Sequence, residues 1–141
     1  MHARRRAAVA LGGLAVFAVA GCSAPEPALG GKTATVAIDG RDVDGVEAVR
    51  CNQSGWAWYI ETPESSGGFT AVLHTGPDVT VESVQFRDLG GFSGTFWADH
   101  IGEAEVDADG GSFTITGSAD GNFSDDPSAA ATARFRIAAQ C

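Results

Sequence analysis

The stretch EAEVDADGGSFTIT, residues 103–116, decides what kind of fold this chain adopts. Acidic and apolar residues alternate without a break from Glu103 to Asp109, as they do in a β-strand with one face in water. Asp109-Gly110-Gly111 supplies a tight turn, because glycine adopts the positive φ that short hairpin turns need. Alternation then resumes from Ser112 to Thr116. The stretch therefore predicts a β-hairpin.

Short runs of the same type occur along the rest of the chain, each bounded by Gly, Pro, Asp or Asn. In the run from Val79, the apolar residues stand at odd positions up to Val81 and at even positions from Val84. This change predicts a β-bulge near Glu82-Ser83. No segment after residue 30 has the periodicity and caps of a helix. With 19 glycines in the chain, the pattern predicts an all-β fold over residues 34–141, an antiparallel sandwich or partly open barrel of about eight to nine short strands. The further runs are Thr35–Ile38, Val46–Cys51, Gly55–Glu61, Phe69–Thr75, Val79–Phe86, Phe92–Ala98 and Ala133–Gln140.

The first 21 residues have the pattern of an export signal. Three arginines, Arg4 to Arg6, precede the run Ala7–Ala20, which has no polar side chain. As a helix this run would span about 21 Å, which is less than the roughly 30 Å of a bilayer's hydrocarbon core. A buried core helix fits poorly, because the run has neither a polar face nor a cap. The pattern indicates a secretory signal peptide that is removed after export.

The segment Val19-Ala20-Gly21-Cys22 resembles the bacterial lipobox, in which one apolar and two small residues precede a cysteine. The resemblance implies that the Cys22 thiol is alkylated with diacylglycerol, that residues 1–21 are cleaved off as a lipoprotein signal peptide, and that Cys22 is the lipid anchor. The alternative is an ordinary signal with an incidental cysteine, which would leave a reactive thiol at an exported N-terminus. Residues 22–33, which contain two prolines and two glycines, are predicted to form a lipidated, flexible tether.

The charge of the chain excludes one class of partner. Nine Lys and Arg residues oppose 18 Asp and Glu, and three of the nine are the arginines of the signal peptide. The exported part therefore carries a formal net charge of −12. Nucleic acid and anionic lipid headgroups should repel such a domain, so nucleic-acid binding is set aside.

Two cysteines remain in the predicted domain, Cys51 and the final residue Cys141. An even pair in an exported domain indicates a disulfide, which would close residues 34–141 and hold the C-terminus in place. Two free thiols or a metal-binding pair are the alternatives, although a cysteine-only metal site needs more than two ligands.

Catalytic patterns are absent from the sequence. No Gly-x-Ser-x-Gly motif precedes a helix, and the two histidines of the predicted domain, His74 and His100, belong to no triad or metal set. Two acidic segments, Asp42–Gly45 and Asp107–Gly110, echo part of an EF-hand loop but lack its final glutamate and its helices. We therefore predict a protein that is not an enzyme, with no catalytic residue, metal site or cofactor; a loose surface calcium site is the alternative for the acidic segments.

Large aromatic residues are predicted to form the core. Trp56, Trp58 and Ile60 would share one strand face, and Phe69, Phe86, Phe92 and Trp97 would join them. The alternative is an apolar pocket at Trp56 and Trp58, opening between sheets, for an acyl chain or another amphiphile.

Six short segments between residues 35 and 141 follow one another in an order typical of a known family. They are Val36-Ala37-Ile38-Asp39-Gly40, Val49-Arg50-Cys51, Ala71-Val72-Leu73, Val81-Glu82-Ser83-Val84, the hairpin segment Asp109–Gly117, and Phe135-Arg136-Ile137 through Cys141. In this pattern the chain resembles the mycobacterial 19-kDa lipoprotein antigen family. The resemblance implies a cell-envelope lipoprotein with a lipid anchor at Cys22 and a Cys51–Cys141 bridge. Two features differ from the family pattern: the tether is short and poor in Ser and Thr, and the segment Trp56–Tyr59 is more aromatic.

The resemblance also implies a role. Members of the family are recognised by host innate immune receptors through the acylated N-terminus and have been proposed as adhesins. We therefore expect a lipoprotein anchored at the extracytoplasmic face of the cell membrane, with non-enzymatic binding as its function. The alternative is a carrier or sensor of an apolar envelope molecule.

Overall fold

A computed structural model describes residues 32–63 and 67–141 of the chain, and in these ranges ten β-strands form. The predicted signal peptide (1–21), the anchor residue Cys22 and nearly all of the predicted tether (22–33) lie outside the described residues. The strands are β1 (Thr33–Ile38), β2 (Arg41–Ala48), β3 (Arg50–Ser54), β4 (Ala57–Glu61), β5 (Gly68–Thr75), β6 (Val79–Leu89), β7 (Phe92–Trp97), β8 (Glu103–Asp109), β9 (Ser112–Phe123) and β10 (Asp126–Gln140).

All ten strands belong to one antiparallel sheet, in the order β2-β1-β10-β9-β7-β6-β5-β4-β3, with β8 paired to β9 beside this path. The sheet is not closed by a hydrogen-bonded pairing of its two end strands, β2 and β3. These two strands follow each other in the chain with Val49 alone between them, so the first half of a nearly continuous strand pairs with β1 and the second half with β4. The all-β prediction is confirmed, as an open antiparallel sheet.

The hairpin predicted over residues 103–116 is present. Strand β8 pairs with β9 from Glu103↔Ser118 to Asp109↔Ser112, and Gly110 in the turn has a φ of 60°. The bulge is confirmed as well. Val72 pairs with Ser83 and Leu73 with Val81, so Glu82 is the extra residue of β6.

The core lies on the inner face of the sheet, which wraps round it. Phe69, Ala71 and Leu73 alternate along β5 and are fully buried. Rings from distant strands meet there, with the ring centroids of Phe86 and Phe135 5.1 Å apart. Burial of each such side chain stabilises the fold by about 1.5–3 kcal/mol.

Contacts between strands that are far apart in the sheet order show that the sheet curves round the core. A Cβ built at Gly90, in the β6–β7 turn, would lie 2.8 Å from Cγ2 of Val43 in β2, although five positions in the strand order separate β2 from β6. Residues near one end of the sheet order therefore pack against residues of its middle.

The bounds of several predicted strands differ from the observed ones. The largest difference is in the last strand, where the predicted run Ala133–Gln140 is only the second part of β10, which begins at Asp126. The predicted run Val46–Cys51 is divided at Val49, and β2 begins five residues earlier, at Arg41, because pairing with β1 outweighs the charged composition of Arg41-Asp42. The run Gly55–Glu61 begins at Ala57, since Gly55 and Trp56 form the β3–β4 turn.

The assignment of Trp56 and Trp97 to the core is also wrong. Trp56 is 77% exposed in its turn, and Trp97 is 48% exposed on the outer face. Phe69, Phe86 and Phe92 are buried as predicted.

Because neighbouring strands are antiparallel, alternate turns lie at the same end of the sheet. We call the amino end the one that holds the start of β1, the end of β10 and the β3–β4, β5–β6 and β8–β9 turns. The far end holds the β1–β2, β6–β7 and β9–β10 turns.

Candidate functional site

An exposed row of residues crosses the outer face of four strands. The register pairs Tyr59 with Val72, Val72 with Ser83, and Ser83 with Trp97, so the four side chains line up from β4 to β7. Tyr59 is 36% exposed and Trp97 48% exposed, while Val72 and Ser83 between them are half-buried. At an interstrand spacing of about 4.8 Å, three spacings separate the backbones of Tyr59 and Trp97 by about 14 Å along the sheet. We call these four residues the outer row.

The ring of Trp97 is held in place by the turn that follows it. The backbone N–H of Trp97 donates to the carbonyl of Ile101 at 2.9 Å, and the N–H of His100 donates to the carbonyl of Trp97 at 3.0 Å. The imidazole of His100 packs on the indole with a centroid distance of 4.3 Å. An aromatic side chain fixed in this way loses little conformational entropy when it binds a partner.

The second predicted histidine lies near the outer row but has a solvated environment. His74 Nδ1 lies 3.6 Å from Glu82 Oε2, and the two side chains are 51% and 41% exposed. A pair this exposed contributes little to stability. The structure places neither His74 nor His100 in a catalytic arrangement.

A groove at the amino end contains one of the two predicted pocket tryptophans. It has a volume of about 420 Å³ and lies between β4–β6 and the β8–β9 hairpin. The rings of Trp58 and Phe113 meet there with centroids 6.1 Å apart, and Trp58 Nε1 is buried without a hydrogen-bond partner. Trp56 is not among the residues that line the groove, so the structure does not bring the two tryptophans together. We call the apolar wall formed by Trp58, Val79, Ala108 and Phe113 the Trp58 groove.

The disulfide is present between Cys51 and Cys141, with an S–S distance of 2.00 Å. It joins β3, at one end of the sheet order, to the residue that follows β10. The backbone N–H of Cys141 also donates to the carbonyl of Gly111 at 2.7 Å. The C-terminus is therefore attached to β3 by the disulfide and to the β8–β9 turn by the hydrogen bond.

A second concavity, of about 560 Å³, lies at the far end. The β1–β2 turn on its rim is anchored to β10, because Asp39 N–H donates to the carbonyl of Arg134 at 2.8 Å and Asp39 Oδ1 accepts from the Arg134 N–H at 2.9 Å. Its walls mix charged and apolar residues, namely Ile38, Asp39, Arg41, Asp42, Val43, Gly90, Phe123 and Asp125.

In the part of the chain that the structure describes, no three His, Cys, Asp or Glu side chains come close enough together to hold a metal ion. Asp107 and Asp109 are both exposed on β8. Over the same ranges, no helix has the length and apolarity needed to cross a bilayer.

Sequence reasoning missed the outer row. The signal that could have found it is the alternation of side chains along β4. Tyr59 lies between Trp58 and Ile60, which face the core, so Tyr59 must face outward. Trp97 carries the same signal, because it follows the buried Phe96.

Comparison with known proteins identifies the family. Residues 27–141 match the family model described as Mycobacterium 19 kDa lipoprotein antigen. A protein of Mycobacterium avium subsp. hominissuis, named "Putative lipoprotein", is 36% identical over 100% of this chain and 97% of its own length. A protein of the same name from Mycobacterium indicus pranii is 34% identical over 97% of this chain and 99% of its own length. The "Probable lipoprotein LppE" of Mycobacterium tuberculosis is 36% identical over half of each chain. This chain belongs to the Mycobacterium 19 kDa lipoprotein antigen family.

Proposed function

We propose that this protein is a lipoprotein of the cell envelope, anchored through diacylglycerol on Cys22 at the extracytoplasmic face of the membrane. Its family and the names of its relatives support a lipoprotein. The lipobox-like segment ending at Cys22 supports the position of the anchor. One acyl chain gives marginal membrane binding, whereas the two chains of a diacylglycerol give a stable anchor.

The β-domain acts by binding at the envelope surface and performs no catalysis. The observation that carries this proposal is the outer row, in which Tyr59 and Trp97 stay exposed on one sheet face with half-buried Val72 and Ser83 between them. Aromatic side chains such as Tyr and Trp are enriched in protein–protein interfaces relative to the rest of the surface. A surface antigen that also works as an adhesin fits this arrangement, and host innate immune receptors would recognise the acylated N-terminus.

Metabolic labelling with palmitate tests the anchor. Wild-type protein should incorporate the label, and Cys22→Ser should incorporate none, because serine lacks the thiol that is alkylated. Ser23→Ala, one residue further on, is the matched control and should label normally. Continued labelling of Cys22→Ser contradicts the proposed anchor.

Cell binding tests the outer row. The chain in a Cys22→Ser background, labelled with a fluorophore, is incubated with cultured macrophages, and bound fluorescence is measured. Trp97→Ala and Tyr59→Ala should each reduce binding at least tenfold, since removing a central aromatic contact costs about 1.4 kcal/mol or more. Trp56→Ala removes an exposed tryptophan outside the row and should leave binding unchanged. Equal binding by all three variants contradicts the role of the row.

A second function, carriage of an apolar envelope molecule, is favoured by one observation. The Trp58 groove is mainly apolar, and the rings of Trp58 and Phe113 in its wall suit an acyl chain. Native mass spectrometry of the protein purified from its own host should then show a co-purifying lipid, and Trp58→Ala should reduce its amount by removing part of the apolar wall. A bare mass for the wild-type protein contradicts carriage.

A further inference from the structure

The β3–β4 turn displays a tryptophan at the amino end of the sheet. Trp56 is 77% exposed, more than any other large apolar residue of the described ranges. Its backbone is held, because the Trp56 carbonyl accepts from the Thr75 N–H at 2.8 Å and from Thr75 Oγ1 at 3.1 Å. Gly55 supplies the positive φ of 58° that the turn needs. The indole is therefore presented to solvent on a rigid support.

The chain enters the domain at the same end. Lys32 directly precedes β1, and its carbonyl accepts from the Val49 N–H at 3.2 Å, where β3 is about to begin. From Val49 the chain continues along β3 over Arg50–Ser54 to the β3–β4 turn, about 16 Å at the rise of a strand. Trp56 therefore projects beyond the point where the chain enters the domain.

The length of chain before the domain limits how the domain can lie on a membrane. Ten residue steps separate Cys22 from Lys32, which span at most about 36 Å when fully extended. A domain of this size has a radius of gyration of about 13 Å. Contact between the far end and the bilayer would require nearly full extension of these residues around the domain, whereas contact at the amino end requires little.

We propose that Trp56 is a second membrane contact, inserted into the headgroup layer of the bilayer in which Cys22 is anchored. The inference rests on the proposed anchor and deepens it, because it gives the domain an orientation. Tryptophan prefers the membrane interface, where its ring is partly apolar and its N–H finds a polar partner. The anchor makes the contact intramolecular, so that one side chain suffices at the high effective concentration. The far end and its concavity then face away from the membrane.

Charges at the amino end define the lipid that this surface fits. Asp78 in the β5–β6 turn and Asp109 at the β8–β9 turn are exposed, and together they outnumber the exposed cation Lys32, where the chain enters the domain. They repel anionic headgroups over about 8–10 Å at physiological ionic strength. The contact therefore prefers a zwitterionic surface, and anionic lipid weakens it unless salt screens the repulsion.

Tryptophan quenching in vesicles tests the proposal. The anchored protein is extracted from its membrane and reconstituted in vesicles of phosphatidylcholine, either unmodified or brominated on the acyl chain. Bromine quenches tryptophans that reach the interface, so wild-type fluorescence should fall in brominated vesicles. Trp56→Phe should lose this bromine-dependent quenching. Trp97→Phe, which changes an exposed tryptophan on the outer face, should retain it.

The outcomes separate the contact from the anchor. Equal quenching in wild type and Trp56→Phe, or none in wild type although the protein floats with the vesicles, overturns the contact and leaves the anchor intact. If the protein fails to float with the vesicles, the anchor is refuted. The same protein is then coupled to a maleimide lipid through its free Cys22 thiol. The comparison of quenching between wild type and Trp56→Phe then tests the contact without the natural anchor. In either form, adding phosphatidylglycerol should reduce the quenching at low salt and not at high salt. Stronger quenching on the anionic vesicles contradicts the assigned surface.

Discussion

Loss of the Cys51–Cys141 bridge is expected to lower the free energy of unfolding by about 4.6 kcal/mol at 25 °C. The bridge spans a sequence separation of 90 residues. In the chain-entropy model, opening a loop of this length returns about 15.5 cal/mol/K to the unfolded chain, which multiplied by temperature gives that figure. Since this is a large part of the stability of a domain of this size, the bridge is expected to decide whether the fold survives at about 37 °C.

Urea unfolding followed by tryptophan fluorescence measures the effect. The oxidised chain, in a Cys22→Ser background, is compared with the same chain after reduction, which keeps both sulfur atoms and changes the linkage alone. A Cys51→Ala/Cys141→Ala variant should match the reduced chain to within about 1–2 kcal/mol, the packing lost with the sulfurs, and should not respond to reductant. The slope of free energy against urea should increase without the bridge, because an unlinked unfolded chain exposes more surface.

A difference between the oxidised and reduced chains below about 1.5 kcal/mol would refute the loop-closure argument. In that case the rest of the sheet holds the C-terminus without the bridge. An unchanged slope would show that the unfolded chain stays compact whether or not it is linked.

Three further substitutions test the fold by the same urea assay. Gly68→Ala should cost about 2–4 kcal/mol, because its φ of 126° is unfavourable for alanine and the added Cβ would overlap Thr62 Oγ1. In the double variant, Thr62→Ala should recover part of that loss. If the losses of the two single variants simply add, the overlap is contradicted. Phe69→Ala should cost about 3–5 kcal/mol since Phe69 is fully buried, whereas Trp56→Ala should change stability by less than about 0.5 kcal/mol. Asp39→Ala should cost about 1–2 kcal/mol, because the Arg134 N–H in β10 loses its acceptor and alanine disfavours a φ of 50°. Asp39→Asn keeps an acceptor oxygen and tolerates this φ, so an equal loss in Asp39→Asn would argue against this explanation.

Much of the fold could be predicted because its signals are local. The alternation from Glu103 to Thr116 and its Asp-Gly-Gly turn predict the hairpin without any knowledge of the rest of the chain. The bulge at Glu82 is also visible in sequence, as a change of parity between Val81 and Val84.

The outer row and the place of Trp56 could not be predicted in the same way. Alternation divides a strand into two faces, yet it places a residue on a face only if the strand includes that residue. The β3–β4 turn begins one residue before Trp56, so that residue leaves the strand face which Trp58 and Ile60 share. The position of this turn follows from the pairing of β3 with β4 and from the bonds of the Trp56 carbonyl to Thr75, which lies 19 residues away.

By itself the sequence determined the strand content, the hairpin, the bulge and the family pattern, because each depends on residues that are near neighbours in the chain. The tertiary structure decided which strands pair, how β2 and β3 divide one extended segment between two neighbours, and which aromatic side chains remain in water. Those outcomes depend on hydrogen bonds and packing between residues far apart in sequence, and the two-residue period of a strand carries no information about its partner.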